Sequence, residues 1–223
     1  TFLDGAKNLL KVNLGLFVPY TTMLLKGTEL ASKESRDKYK LYSKYRVLPQ
    51  QYGEYSGEKC FEIEEVCVAT NTVTYEEYLD VRGFAFLVGL FNGEQYDIIL
   101  RHILEFEIEP MEFFLILWEE IKNTDTLLSE IYFAYIKETD EELFDSSQEV
   151  TDFFMQEENY IKLKRGILGD NLIKKYTAKV YMECHEESFE TAYRGLIKIL
   201  GNSANENLDS LLAAKKWAIE TRN

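Results

Sequence analysis

Apolar positions along the chain fall mostly at helical spacing, interrupted early by two stretches with strand character. Phe2, Ala6, Leu9 and Leu10 recur at three- and four-residue intervals and predict a helix over residues 1–13. Thr1 and Asp4 suit its first turn, and Asn13 and Gly15 suit its end. From Leu16 to Leu25 the apolar run is nearly continuous, with β-branched and aromatic residues in its middle. Such a run after a helix predicts a parallel strand covered on both faces, with Pro19 favouring an edge or irregular position. Residues 31–44 are polar and basic (Lys33, Arg36, Lys38, Lys40, Lys44) and predict a solvated helix, or else a cover over an anionic ligand. Tyr45–Pro49 reads as a short extended piece, 50–59 as a turn around Gly53 and Gly57, and Cys60–Thr70 as a strand through Phe61, Ile63, Val66 and Val68.

Beyond residue 73 the period is helical. Thr74-Tyr-Glu-Glu77 has the spacing of a capping box and opens a helix to about Phe91, ended by Asn92-Gly93. A second helix spans Tyr96–Phe106, and Glu109-Pro110 opens a third, with proline where its missing amide costs nothing. Asn123–Asp125 caps a fourth that runs to about Phe144. Residues 145–160 predict a loop and one short helix, and 161–175 are basic and broken at Gly166 and Gly169. Lys179–Cys184 is extended or helical by periodicity. Two amphipathic helices follow, one ending at Gly201 and the last fraying at Arg222. The expected class is therefore α+β, mostly helical.

Composition narrows the function classes. The 223 residues carry a net charge of −14, spread along helices, which disfavours a nucleic-acid backbone or anionic membrane surface as partner. Few prolines and many aromatic residues argue against disorder. Cys60, Cys67 and Cys184 form no disulfide framework, so a reducing, cytoplasmic location is expected. No apolar run is long enough to predict a membrane span. Because the first residue is Thr1 and not Met, the natural N-terminus is expected upstream.

The usual catalytic motifs are missing: no P-loop, no G-x-G-x-x-G and no nucleophile elbow. Cys60 and Cys67 lack zinc spacing, and Cys184-His185 stands alone, so ordinary buried thiols account for them better than a metal site. A Cys–His nucleophile would need Cys67 or Cys184 beside His102, and nothing in the sequence brings them together. Acid pairs such as Glu64-Glu65 and Glu119-Glu120 arise by chance among 39 acids. The remaining candidate is Gly27-Thr28-Glu29, which places a flexible residue, a hydroxyl and a carboxylate at the end of the first strand. In α/β folds ligands bind at that end, although a simple turn uses the same residues.

Several short motifs carry a resemblance. They are Thr1-Phe2, Pro19-Tyr20 leading to Gly27-Thr28-Glu29-Leu30, Tyr45-Arg46-Val-Leu-Pro49, Glu62-x-Glu64-Glu65, and Thr74-x3-Tyr78-x3-Arg82. Over residues 1 to about 90 the chain resembles the C-terminal portion of a radical S-adenosylmethionine protein, of the group that often carries a cobalamin-binding domain. The resemblance implies that residues 1–30 end an α/β barrel as its terminal helix-strand unit. Residues 31–73 would link through short strands, and 74–223 would form a helical C-terminal extension. It also implies that Tyr20, Thr22, Gly27, Thr28, Glu29, Arg46 and Arg82 face substrate or cofactor. The family's Cys-x3-Cys-x2-Cys loop, which holds a [4Fe–4S] cluster, is not among these residues. The resemblance thus implies a parent enzyme that cleaves S-adenosylmethionine at a cluster held elsewhere, acting on a small-molecule substrate, with cobalamin bound by the associated domain. This portion would close the barrel and cover the substrate cavity, and by itself would bind no cofactor and be inactive. Two alternatives stand beside it: a non-catalytic helical binding or scaffold module, and a small hydrolase using Glu29 or a Cys–His pair.

Overall fold

The computed structural model describes residues 2–12, 20–201 and 203–221. Among them the chain is mostly helical, with one two-stranded antiparallel sheet, the α+β class expected from the pattern. It divides into two compact units, each assembled from separate stretches. One takes residues 1–19, 83–134 and 176–223, and the other takes 20–82 and 135–175.

In the first unit, α1 (Phe2–Val12) and α10 (His185–Leu200) pack against α5 (Pro110–Asn123). Helix α10 also meets α4 (Asp97–Glu105) and α11 (Ser203–Glu220). The last turns of α3 (Tyr75–Phe91) contribute Phe84, Phe86, Leu87 and Phe91, all fully buried with Tyr96, Phe113, Phe114 and Phe189. Pro110 occupies the first turn of α5, as its sequence implies. The predicted close of α1 at Asn13 and Gly15 lies outside the described residues, as do Thr1 and Arg222. Lys179–Glu183, left open by periodicity, belongs to α9 (Leu172–Glu183), and Cys184 is the N-terminal cap of α10.

The second unit is built on the hairpin of β1 (Tyr42–Tyr55) and β2 (Glu58–Ala69). Ser56 and Gly57, at φ 53° and 85°, form its two-residue loop. Positive φ at both positions matches the right-handed twist of the flanking strands. Strand β1 therefore continues through residues 50–55, where the sequence suggested a turn. The register slips between Val47 and Tyr52, beside Pro49 and the left-handed Gln50, and pairing then resumes at Tyr52↔Phe61. Both residues pack with Val47 against Val150, Phe154, Tyr160 and Leu163. These come from α7 (Ser147–Met155) and α8 (Glu157–Lys164), two helices where one was expected. The opposite face of the sheet carries Val66 and Val68 against Tyr78 and Leu143. Helix α6 (Leu127–Glu141) stops short of Phe144, which instead pairs with Tyr45 through two backbone hydrogen bonds of 2.8 Å.

The first expected strand also differs. Residues 16–19 lie outside the described set. Residues 20–25 run antiparallel to β2, joined at the single bridge Met23↔Val66 by Leu24 N–H to Glu65 O and Cys67 N–H to Thr22 O. Leu24 is buried, while Tyr20 is 88% exposed and Leu25 56%. Residues 20–25 are covered on one side only.

Candidate functional site

The inward face of β2 is set by alternation: Glu64, Val66 and Val68 are buried in turn. A carboxylate thus falls in phase with two valines. Arg46 lies directly opposite it in the hairpin register. Its guanidinium donates from Nε to Glu64 and from Nη1 to Glu142, the latter brought in from just beyond the end of α6. All three side chains are at most 14% exposed.

Two more groups join from α3. Tyr78 and Arg82 are four residues apart on one face of the helix and are both buried. The Arg82 guanidinium carbon lies 6.0 Å from the Tyr135 ring centroid, close enough for a cation–π contact. Arg82 Nε and Tyr78 Oη have no hydrogen-bond partner among the described residues.

Burial and pairing act against each other here. Burial opposes the Arg46 charge, but Glu142 and Glu64 outweigh it and hold the guanidinium more basic than usual. Burial raises the Glu142 carboxyl above the ordinary carboxylate value, against the pull of Arg46 and Arg82. Burial also pushes the Tyr78 phenol up to about 12, opposed by the two arginines. The cluster is a locked ionic network with few free acceptors, and its chemistry is that of positioning.

No protein-family model matches the chain, and no curated protein matches it.

A second charged pair seats the segment before β1. Ser32 caps α2 (Lys33–Tyr39) by accepting from Ser35 N–H. From α2, Arg36 reaches Glu65 with two hydrogen bonds of 2.7 and 2.9 Å, while its Nε donates to Ala31 O. Ser43 donates to the same carboxylate. The hydrogen bond from Arg36 leads the effects that hold the Glu65 carboxyl below the usual range. Arg36 therefore takes part in a salt bridge where the basic pattern of 31–44 suggested solvation.

The sequence-derived candidates separate into two sets. Arg46 and Arg82 meet in the buried cluster. Thr22 lends its backbone carbonyl to Cys67, and the Tyr20 ring is exposed. Gly27, at φ 86°, stands third in a turn closed by Thr28 N–H to Leu25 O, the position that requires a left-handed residue. Thr28 Oγ1 donates to Leu25 O at 2.8 Å, and Glu29 is exposed. Glu142 and Tyr135 escaped the sequence reading; Glu64 and Tyr78 were visible only within motifs. The available signal was Glu64 in phase with Val66 and Val68.

The thiols do not fit an iron–sulfur cluster. Cys60 and Cys67 lie seven residues apart on one strand, about 23 Å at strand rise. Cys184 belongs to the first unit. Among the described residues no group of three or more His, Cys, Asp or Glu could hold a metal ion, and no helix is long and apolar enough to cross a membrane.

Proposed function

We propose that this chain is the C-terminal part of a radical S-adenosylmethionine enzyme, closing its barrel and covering its substrate cavity. The observation that carries the reading is convergence. The motifs around Arg46, Glu64, Tyr78 and Arg82 are scattered over nearly forty residues, yet Arg46 and Glu64 pair on one hairpin and Tyr78 and Arg82 lie within electrostatic reach of that pair and of Glu142 on the helix beside it, while Glu65 turns to the other face and to Arg36. That hairpin also seats residues 20–25, which lead into the Gly27-Thr28-Glu29 turn. The outward face of this segment presents Met23 and Leu25, an apolar surface of the kind a neighbouring barrel strand would cover. In this reading Tyr20, Thr28 and Glu29 would face a small-molecule substrate, while Arg46, Glu64 and Glu142 fix the hairpin behind them.

Cluster, S-adenosylmethionine and cobalamin would be bound by the barrel and its associated domain, because the thiols of this chain do not fit the cluster. The three free cysteines suit a reducing, cytoplasmic setting. A second reading, a non-catalytic helical binding or scaffold module, is favoured by one observation: Arg46 gives its hydrogen bonds to Glu64 and Glu142 and not to an open cleft.

The coding sequence upstream of Thr1 separates the two. A Cys-x3-Cys-x2-Cys loop there, with 5′-deoxyadenosine released by the anaerobically reconstituted longer protein, supports the enzyme. A longer protein without that loop refutes it. Residues 1–223 alone should stay colourless after treatment with iron and sulfide, and a stable cluster on them refutes the assignment of the thiols.

A further inference from the structure

The first unit contains a cleft of about 740 Å³ lined by α4 and the turn before it, α9, the start of α10 and the end of α11. That volume lies within the range of small-molecule sites. One of its lining residues, Tyr181, belongs to a preformed aromatic stack. The Tyr181 ring lies 6.0 Å from that of the fully buried Tyr96, at an interplanar angle of 20°. Its phenol donates to Gln95, and burial pushes that phenol up to about 12, so it remains a donor. His185 is buried beside it, its ring 5.1 Å from that of Phe189. Lining residues fixed in this way need little ordering when a ligand arrives.

The rim is charged and unspent. Asp97 and Arg101 are one helical turn apart on α4, a spacing at which such pairs ordinarily meet. Yet no carboxylate among the described residues lies within ion-pair distance of Arg101, and Glu94 and Asp97 make no ion pair there either. Opposite charges thus remain available about 6 Å apart along the helix, beside a Trp217 indole that is 60% exposed.

We infer that this cleft binds a small organic zwitterion, its carboxylate on Arg101, its ammonium on Glu94 and Asp97, and its apolar body against Trp217 and Tyr181. A carboxylate alone would meet two like charges, and an amine alone would leave the guanidinium unanswered. A zwitterion matches both ends, and the indole face adds attraction for the ammonium.

Trp217 provides the readout. The other tryptophan, Trp118, is bonded through its indole N–H to Tyr132 at 2.7 Å and supplies a constant background. L-Phenylalanine, 3-phenylpropanoate and phenethylamine present the zwitterion and its two halves on one apolar body. L-Phenylalanine should change the fluorescence saturably, bind at least about tenfold more tightly than either half, and give no signal with Trp217→Phe. Arg101→Gln should weaken L-phenylalanine and 3-phenylpropanoate about tenfold, the loss expected for one charge-assisted hydrogen bond, and leave phenethylamine within about twofold. Arg101 is exposed and unpaired among the described residues, so this variant keeps its fold. No saturable response to L-phenylalanine, equal binding of all three probes, or an Arg101→Gln variant that binds L-phenylalanine unchanged overturns the inference.

Discussion

Replacing Arg46 with Met removes the cation that two buried carboxylates share and keeps only an apolar chain of about the length of its stem. Breaking a buried ion pair from one side costs about 3–5 kcal/mol, because the partner is left as an uncompensated charge. A carboxylate can, however, escape that penalty by taking a proton. For Glu142, whose carboxyl burial already raises from its ordinary value of 4.5, protonation at pH 7 costs at most about 3.4 kcal/mol. Arg82 still faces Glu142 and offsets part of the loss. The expected cost at pH 7 is therefore about 3 kcal/mol, near the low end, and it falls to about 1 kcal/mol or less at pH 5, where protonation is nearly free. Both tryptophans lie in the first unit, so indole fluorescence is a poor reporter for this change. Hydrogen exchange of amides in β1 and β2, followed by mass spectrometry, reads the second unit directly. At pH 7 the variant should exchange there about a hundredfold faster than the parent, since each 1.4 kcal/mol is tenfold. The gap should close toward pH 5 once intrinsic rates are corrected. A gap that is equally wide at both pH values refutes the buried-carboxylate argument, and so does a change below about threefold at pH 7.

Three further outcomes follow from the same geometry. Glu65 is held below the usual carboxylate range, so its contribution is complete above its ordinary value of 4.5 and lost as pH falls below it. Glu142 is raised and works in the opposite direction, its own contribution being fullest below 4.5 and lost as pH rises through its folded value. Arg36→Gln should therefore flatten the acid limb of the stability profile seen in urea titrations between about pH 3 and 5, and an unchanged limb counts against the Arg36–Glu65 bond. Gly169→Ala should cost about 2–3 kcal/mol in urea denaturation, because φ is 63° and a Cβ would come within 2.6 Å of both Leu163 and the buried Val47; a loss under about 1 kcal/mol means the turn relaxes. Cys60 should react first with a disulfide reagent, Cys67 more slowly and Cys184 last, its thiol pushed up to about 12 by burial, and early labelling of Cys184 contradicts its placement.

Local signals were readable where local chemistry decides the structure. Thr74 and Glu77 exchange the two hydrogen bonds their spacing implies, at 2.8 and 3.2 Å. Pro110 begins a helix because its missing amide is harmless there. What stayed hidden depends on residues far away. Residues 50–55 extend β1 because Tyr52 and Phe61 find α7 and α8, and only the folded chain brings those helices to them. The apolar run to Leu25 suggested two covered faces, yet within its described residues 20–25 a single bridge to Val66 leaves Tyr20 outside. Half of the ionic cluster was visible as Arg46 and as Glu64 on the valine phase of β2. The other half, Glu142, comes from the far side of an intervening segment, and periodicity carries no information about such an arrival.

That intervening segment bears on how the chain is made. Arg46 and Glu142 are 96 residues apart, and Tyr45 waits for Phe144 across a similar gap. The second unit is interrupted by residues 83–134 and is completed only by residue 175. On a translating ribosome the hairpin emerges early and stays without α7, α8 and Glu142 until some hundred further residues have been added. During that interval the inward carboxylate and arginine remain hydrated, and the apolar face of β1 depends on the speed of elongation or on a chaperone. Stalling synthesis between residues 82 and 135 should therefore yield a nascent chain open to protease at the hairpin, and release past residue 175 should close it.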